Sequence, residues 1–302
     1  WTRADAVIVA SPNFTHTAYS KASLLAGRHV LCEKPIALSA TEAVETIQLA
    51  KNVGKIYFPA FAYRFRQDVK YFHGEVLKIG RIHSIRTEWV RRSGIPRPGT
   101  WITDRNRSGG GVLVDLGSHM LDICMRYIED TDIQTVWMKT EHCDDYLANR
   151  AGWNGSPGAR TGIMDVETRA EGQVLFQSGQ KLSFDFNWAG QPADGDRTII
   201  EITGSGGKVC LDSLFGFSDC SDKIQNTVTT TLQNEEPVTK IFPMAKNADY
   251  SRKAFQEMID CFIKTIHGDR KHESKDDVSV SVVRLIERLY RSEGGRDEWA
   301  MP

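Results

Sequence analysis

Two short segments hold the side chains best suited to chemistry: Glu33-Lys34-Pro35, and the run Gly109-Gly-Gly-Val-Leu-Val-Asp-Leu-Gly-Ser-His119. Three successive glycines leave a stretch of backbone without Cβ atoms, which a ligand can approach closely. Asp115 and His119 follow at a spacing of four, inside an apolar-periodic stretch (Leu113, Leu116, Met120, Ile123). On a helix, residues four apart share one face, so a carboxylate and an imidazole point into the same space. With the ammonium of Lys34 added, the set suits removal of a proton from an alcohol. Histidine is the natural base, because its ordinary pKa of about 6.5 lies near working pH.

The elements that must position these groups read as βαβαβ. Ala6–Ala10 is a short β-rich run, followed by a Ser-Pro-Asn turn and a helical pattern that ends at Gly27. His29–Cys32 is the second strand; Ser39-Ala-Thr-Glu42 is a capping box opening a helix that Gly54 closes; Ile56–Phe61 is the third strand. Such alternation implies a parallel sheet with right-handed crossovers. From Ile82 the periodicity changes. Ile82–Val90, Ile133–Thr140, Val166–Phe176, Lys181–Trp188, Thr198–Ile202, Lys208–Leu211 and Val228–Leu232 read as strands of a large, mainly antiparallel open sheet. Asp115–Ile128 reads as a helix, and two amphipathic helices lie near the end, around Phe255–Ile266 and Val282–Leu289. Asp144–Thr161 is polar and reads as a loop, and Gly204-Ser-Gly-Gly-Lys208 reads as a hairpin turn. The fold class expected is α/β: a truncated Rossmann-type parallel sheet over residues 1–62, then an α+β domain over 63–302 whose last helices can pack back on the first part.

The motifs in this order resemble the glucose–fructose oxidoreductase / inositol dehydrogenase family of nicotinamide-dependent sugar and cyclitol dehydrogenases. The resemblance rests on Asp5 through Asn13 with His16, Gly27 through Pro35, Tyr63-Arg-Phe-Arg66, and Gly109 through His119 with Asp122. It implies catalytic roles for Lys34, Asp115 and His119, with NAD or NADP as cofactor. His119 is then the base. Asp115 holds the substrate hydroxyl and favours the imidazolium once formed. Lys34 stabilises a developing alkoxide and orients the nicotinamide ribose. On the same basis Ser11, Pro12, Asn13, His16 and Glu33 line the nicotinamide-ribose side. Arg64 and Trp101 are further candidates at the nicotinamide end, and Arg92 is a candidate for substrate oxygens. The expected reaction is oxidation of a secondary ring hydroxyl of a sugar, glycoside or cyclitol. A keto- or anhydro-sugar reductase, or a non-catalytic sugar- or nucleotide-binding protein on the same fold, are the alternatives.

No Gly-x-Gly-x-x-Gly occurs in the 302 residues. About 60–75 residues carrying that turn would ordinarily precede the first strand, so the chain is expected to bind dinucleotide poorly on its own. A net charge of −1 argues against a polyanion-binding surface, and no apolar run of membrane-spanning length is present. Six scattered cysteines read as reduced thiols of a cytoplasmic protein. His142-Cys143-Asp144-Asp145 has no second ligand cluster, so no metal is expected. Phe184, Phe186 and Trp188 alternate with polar residues, and few helices are available to cover the sheet. An uncovered apolar face would bring copies together, as a homodimer or homotetramer through the C-terminal sheet.

Overall fold

The computed structural model describes residues 3–143, 162–190, 195–216, 225–243, 247–269 and 276–293. Asp144, Asp145 and the predicted loop at 144–161 lie outside them, as does Cys220.

The first unit is a three-stranded parallel sheet, β1 (Ala6–Val9), β2 (His29–Glu33) and β3 (Tyr57–Ala60), in that order. Two helices cross between the strands, α1 (His16–Leu25) and α2 (Ala40–Asn52). Gly27 ends the first in the left-handed region (φ +74°), where only a residue without Cβ sits comfortably. Ser39 caps α2 by accepting from the Glu42 amide at 3.2 Å. The Glu42 carboxylate reaches back to the Leu38 amide at 3.3 Å, one residue beyond the usual partner in a capping box.

A turn and α3 (Gln67–Val76) lead into the second unit, an eight-stranded sheet. Its strands are β4 (Ile82–Val90), β5 (Ile133–Glu141), β6 (Arg169–Phe176), β7 (Lys181–Asn187), β8 (Arg197–Gly204), β9 (Gly207–Ser213), β10 (Gln225–Leu232) and β11 (Val238–Pro243), ordered β11-β10-β9-β8-β4-β7-β6-β5. All neighbours are antiparallel except β4 and β7. Gly204 pairs with Gly207 across the expected hairpin turn. Between β4 and β5 run the short α4 (Arg105–Ser108), a π-helical turn (Leu113–Gly117) and α5 (Ser118–Met125). The C-terminal helices are α6 (Asn247–Ile266) and α7 (Asp276–Ser292).

Alternation along the strands sorts the large sheet into two unlike faces. One is the core: Trp89, Phe186 and Trp188 are fully buried and pack with Leu116 and Met120 of the helical turn and with Val282 and Leu289 of α7. A Cβ on Gly117 would lie 3.0 Å from the Phe186 ring, so helix and sheet are in direct contact there. Phe184, Phe186 and Trp188 are therefore covered within the chain, and the argument for a dimer or tetramer built on an exposed apolar face fails. The other face is ionic: Arg169 bridges Glu141, Glu171 and Asp185, Glu88 takes Arg86 and Arg197, and Lys208 pairs Glu201.

The C-terminal helices join the two units. Met258 and Phe262 of α6 pack on Leu31 and Ala60, while Val280 and Val283 of α7 pack with Val30 and Ile47. Within the second unit, a fully buried ion pair ties the start of α3 to the end of β9. Arg66 donates to both Asp68 oxygens (3.0 and 2.6 Å), to Ser213 Oγ and to the Leu214 carbonyl. Burial pushes the Asp68 carboxyl up, but Arg66, Ser213 and the Val69 amide outweigh it and hold it below the ordinary value. A depressed folded-state pKa means stability present above the unfolded value near 3.9 and lost as pH falls through the folded one. Asp68→Asn leaves a buried guanidinium unmatched and is expected to destabilise by about 3–5 kcal/mol at pH 7. Its deficit relative to the parent shrinks toward pH 2 in urea unfolding; an undiminished deficit there contradicts the assignment.

Candidate active site

The end of β2 and the π-helical turn meet at the crevice between the two units. Lys34 Nζ donates to the Asp115 carbonyl at 2.9 Å and to Asp115 Oδ1 at 3.1 Å. The other carboxylate oxygen accepts from Trp188 Nε1 at 3.0 Å. An ammonium has three donors, so one N–H of Lys34 remains for a bound oxygen. The Asp115 side chain keeps 34 % of its exposure and the Lys34 side chain 16 %, so both face open space. Burial raises the Asp115 carboxyl, but the Lys34 ammonium and the Arg91 guanidinium more than offset it and hold it down at about 2.

His119 lies one turn further along, its ring 4.4 Å from the Tyr63 ring and edge-on to Phe61. Burial and the neighbouring Lys34 charge drive its pKa well below 6.5, against the pull of Asp115. The imidazole is therefore neutral at working pH, the form that accepts a proton. Its Nδ1 is buried with no hydrogen-bond partner among the described residues.

The glycine run does something other than admit a ligand. A Cβ on Gly110 would fall 1.9 Å from the Tyr290 hydroxyl, and one on Gly111 would fall 2.0 Å from the Glu167 carbonyl oxygen. The space is filled by the protein itself. Buried Glu167 accepts from the amides of Gly111 and Leu113, at 3.0 and 3.1 Å, and from Tyr290 Oη at 2.8 Å. It thereby satisfies donors that a helix start leaves orphaned, and it fixes the turn that aims Asp115. Neither Glu167 nor Tyr290 stood out in the sequence, since a buried carboxylate far along the chain carries no local signature.

Other predicted residues have mixed placements. His16 is buried, with ring nitrogens 2.7 Å from the carbonyls of Pro35 and Ser11. Asn13 Nδ2 donates to the Ser108 carbonyl at 2.8 Å. Both residues thus shape the crevice wall. Ser11 Oγ lies 2.5 Å from Thr15 Oγ1, and the Pro12 carbonyl accepts from Thr15. Glu33 accepts from the Lys34 amide through Oε2, with Oε1 unclaimed among the described residues, and burial raises its carboxyl above the ordinary value. Arg64 is committed elsewhere, as a two-pronged partner of buried Asp122. Trp101 is half-buried on the turn before α4. Arg92 is exposed, and its amide donates to Asp196 Oδ1 at 2.6 Å. Its neighbour Arg91 is the residue that turns inward. Arg91, one residue past β4, continues the core-facing alternation of Trp89 and lies over that ring at 5.1 Å, and it is 6 % exposed. A cation–π contact of about 0.5–2 kcal/mol is smaller than the several kcal/mol needed to desolvate an ion.

The first unit is a Rossmann-type parallel sheet, and Lys34, Asp115 and His119 lie together where it meets the second unit. A profile described as "Oxidoreductase family, NAD-binding Rossmann fold" matches residues 2–61, and the "GFO/IDH/MocA C-terminal domain" matches 77–210. A putative UDP-kanosamine synthase oxidoreductase subunit of Amycolatopsis mediterranei is 34 % identical over 99 % of this chain and 81 % of its own. D-glucoside 3-dehydrogenase of Escherichia coli is 37 % identical over 40 % of this chain and 35 % of its own. Among solved structures, an oxidoreductase domain protein from Kribbella flavida superposes with a TM-score of 0.75 at 22 % identity, covering 95 % of this chain and 78 % of that one. The chain belongs to the GFO/IDH/MocA oxidoreductase family. The cofactor class of that family is a nicotinamide dinucleotide.

Gly111→Ala is expected to destabilise by at least about 1–3 kcal/mol, since the obstructing atom is backbone. Gly74, in mid-α3 with nothing within 4 Å of its Cβ position, provides the contrast: alanine there is expected to be neutral or to stabilise by up to about 1 kcal/mol. Denaturant titration of both variants checks the pair.

Proposed function

We propose that the protein oxidises a secondary ring hydroxyl of a sugar, glycoside or cyclitol, with NAD or NADP as partner. The observation that carries this reading is the buried His119 ring, with an unpartnered Nδ1 among the described residues, one turn from an Asp115 that holds a lysine with one donor to spare. The donor set fits a nicotinamide end: among the described residues Lys34 keeps an N–H, Glu33 has an unclaimed carboxylate oxygen for ribose hydroxyls, and His119 has an unpartnered Nδ1. The dinucleotide, when bound, supplies the hydride acceptor.

The protein's own residues do the rest. Lys34 donates to the substrate hydroxyl oxygen and stabilises the charge that grows there. His119 takes the hydroxyl proton. Asp115, with an oxygen on Lys34 and the other on Trp188, fixes the ammonium and stays ionised throughout. Tyr63, Phe61 and Trp89 wall the imidazole with rings and keep bulk water off it. Relatives named for glucoside oxidation and for a UDP-sugar synthase support a sugar as substrate.

His119→Ala is expected to lower kcat by about 10²–10⁴, the usual loss with a general base, while NADH affinity changes little. Stopped-assay kinetics with a sugar and inositol panel and both dinucleotides check this; near-parental turnover contradicts it. Because the folded pKa of His119 is depressed, the acid limb of kcat/KM is expected to lie below pH 6.5 and to vanish from the His119→Ala residual rate. Lys34→Met is expected to damage kcat far more than the melting temperature. A variant that mainly loses thermal stability would make Lys34 structural.

A further inference from the structure

Four cations lie around Tyr63 and the proposed base, and three have a carboxylate of their own: Lys34 with Asp115, Arg64 with Asp122 and, fully buried, Arg66 with Asp68. Arg91 has none among the described residues. Its backbone is tied down, the amide to the Asn187 carbonyl and the carbonyl to the Gly190 amide. Its guanidinium touches the Trp89 ring, and its Nε is buried without an acceptor. Two glycines make room for it. A Cβ on Gly94 would lie 2.9 Å from Arg91 Cδ, and one on Gly216 would lie 3.2 Å from a terminal nitrogen of the fork. The same Gly216 position is 3.1 Å from Tyr63 Oη, so the tyrosine hydroxyl and the guanidinium converge on one point. Tyr63 in turn stacks on His119, which places that point beside the proposed base.

We propose that Arg91, with the Tyr63 hydroxyl, binds an anionic oxygen group carried by the substrate, a carboxylate or a phosphate, so that the protein prefers charged sugars to neutral ones. The inference rests on the sugar-oxidising reading and names the substrate class for it. Sugar hydroxyls alone would satisfy guanidinium donors but bring no charge to a guanidinium that Asp115 balances only at longer range, while also serving Lys34. A carboxylate or phosphate matches both charge and geometry, since the planar fork presents paired N–H groups to two oxygens. Both Asp115 oxygens are already engaged, by Lys34 and by Trp188, so neither is left to bond the Arg91 fork directly.

The test is calorimetric binding to the full-length protein saturated with NADH, using glucose, glucuronate, glucose 6-phosphate and UDP-glucose. At least one charged sugar is expected to bind tenfold or more tightly than glucose, and which one it is tells a carboxylate from a terminal phosphate or a nucleotide diphosphate. Arg91→Gln is expected to reduce that charged-to-neutral ratio at least tenfold, and Arg91→Lys to retain part of it by keeping the charge without the fork. Equal binding of all four sugars, binding of none of the charged ones, or a ratio unmoved by Arg91→Gln overturns the proposal. So does equal weakening of glucose and the charged sugars in both variants, the mark of a merely structural arginine. Because the readout is binding, its failure is distinct from failure to oxidise any sugar.

Discussion

Asp115 is a carboxylate on which both units converge. Its oxygens hold Lys34 from the end of the parallel sheet and Trp188 from just beyond β7 of the large sheet, while its own backbone belongs to the π-helical turn. Each partner is fixed independently. Lys34 sits at the end of a sheet strand and Trp188 is wholly buried. The carboxylate therefore accepts from two donors that do not move to meet it, the arrangement that gives electrostatic preorganisation its value. Removing the charge would loosen Lys34 from the crevice and leave an indole N–H without an acceptor, so the proposed chemistry and the docking of the two units are joined at one side chain.

That arrangement depends on the start of the turn, and the start of the turn is closed by a second carboxylate. Glu167 comes from the segment before β6, satisfies amides at the head of the helix and takes the Tyr290 hydroxyl from α7. Burial raises the Glu167 carboxyl, and the nearby carboxylate raises the Tyr290 phenol further than burial alone. The glycines at 110 and 111 are needed because tyrosine ring and Glu167 backbone press against them. Glycine signals close approach, but whether a ligand or the chain itself approaches is settled only by tertiary packing.

Much of the architecture was legible because it is local. Caps, the Gly27 and Gly54 helix ends and the Gly204–Gly207 hairpin follow from residue type over a few positions, and strand alternation revealed most of the large sheet. The edge strand β11 was not legible: Val238 to Ile241 are exposed, so no buried face imposes a period on them. Helix α3 was missed because Asp68 and Glu75, polar on paper, are buried and answered by Arg66 and by Lys78 and Thr230. Lys34, Asp115 and His119 were read from motif, and the structure brings the first two into contact with the third a turn away. The choice between Arg91 and Arg92 needed the register of β4. With a period of two, adjacent arginines face opposite sides of the sheet, and only pairing shows which side is the core.

Helix α7 explains how such an exacting site tolerates being built across two units. One of its faces enters the small core through Val280 and Val283, and another enters the large core through Val282, Leu285 and Leu289. Its C-terminal turn then delivers Tyr290 to Gly110 and Glu167, with Arg105 stacked on the outer side of the ring at 4.6 Å. A helix fixed by two hydrophobic cores is stiff at the point where it meets the π-helical turn, so the placement of Asp115 inherits rigidity from packing away from the crevice. The polar site itself is not the source of that rigidity. Its charges are partly solvated and individually weak, whereas the apolar contacts behind them are dense and leave little room to move.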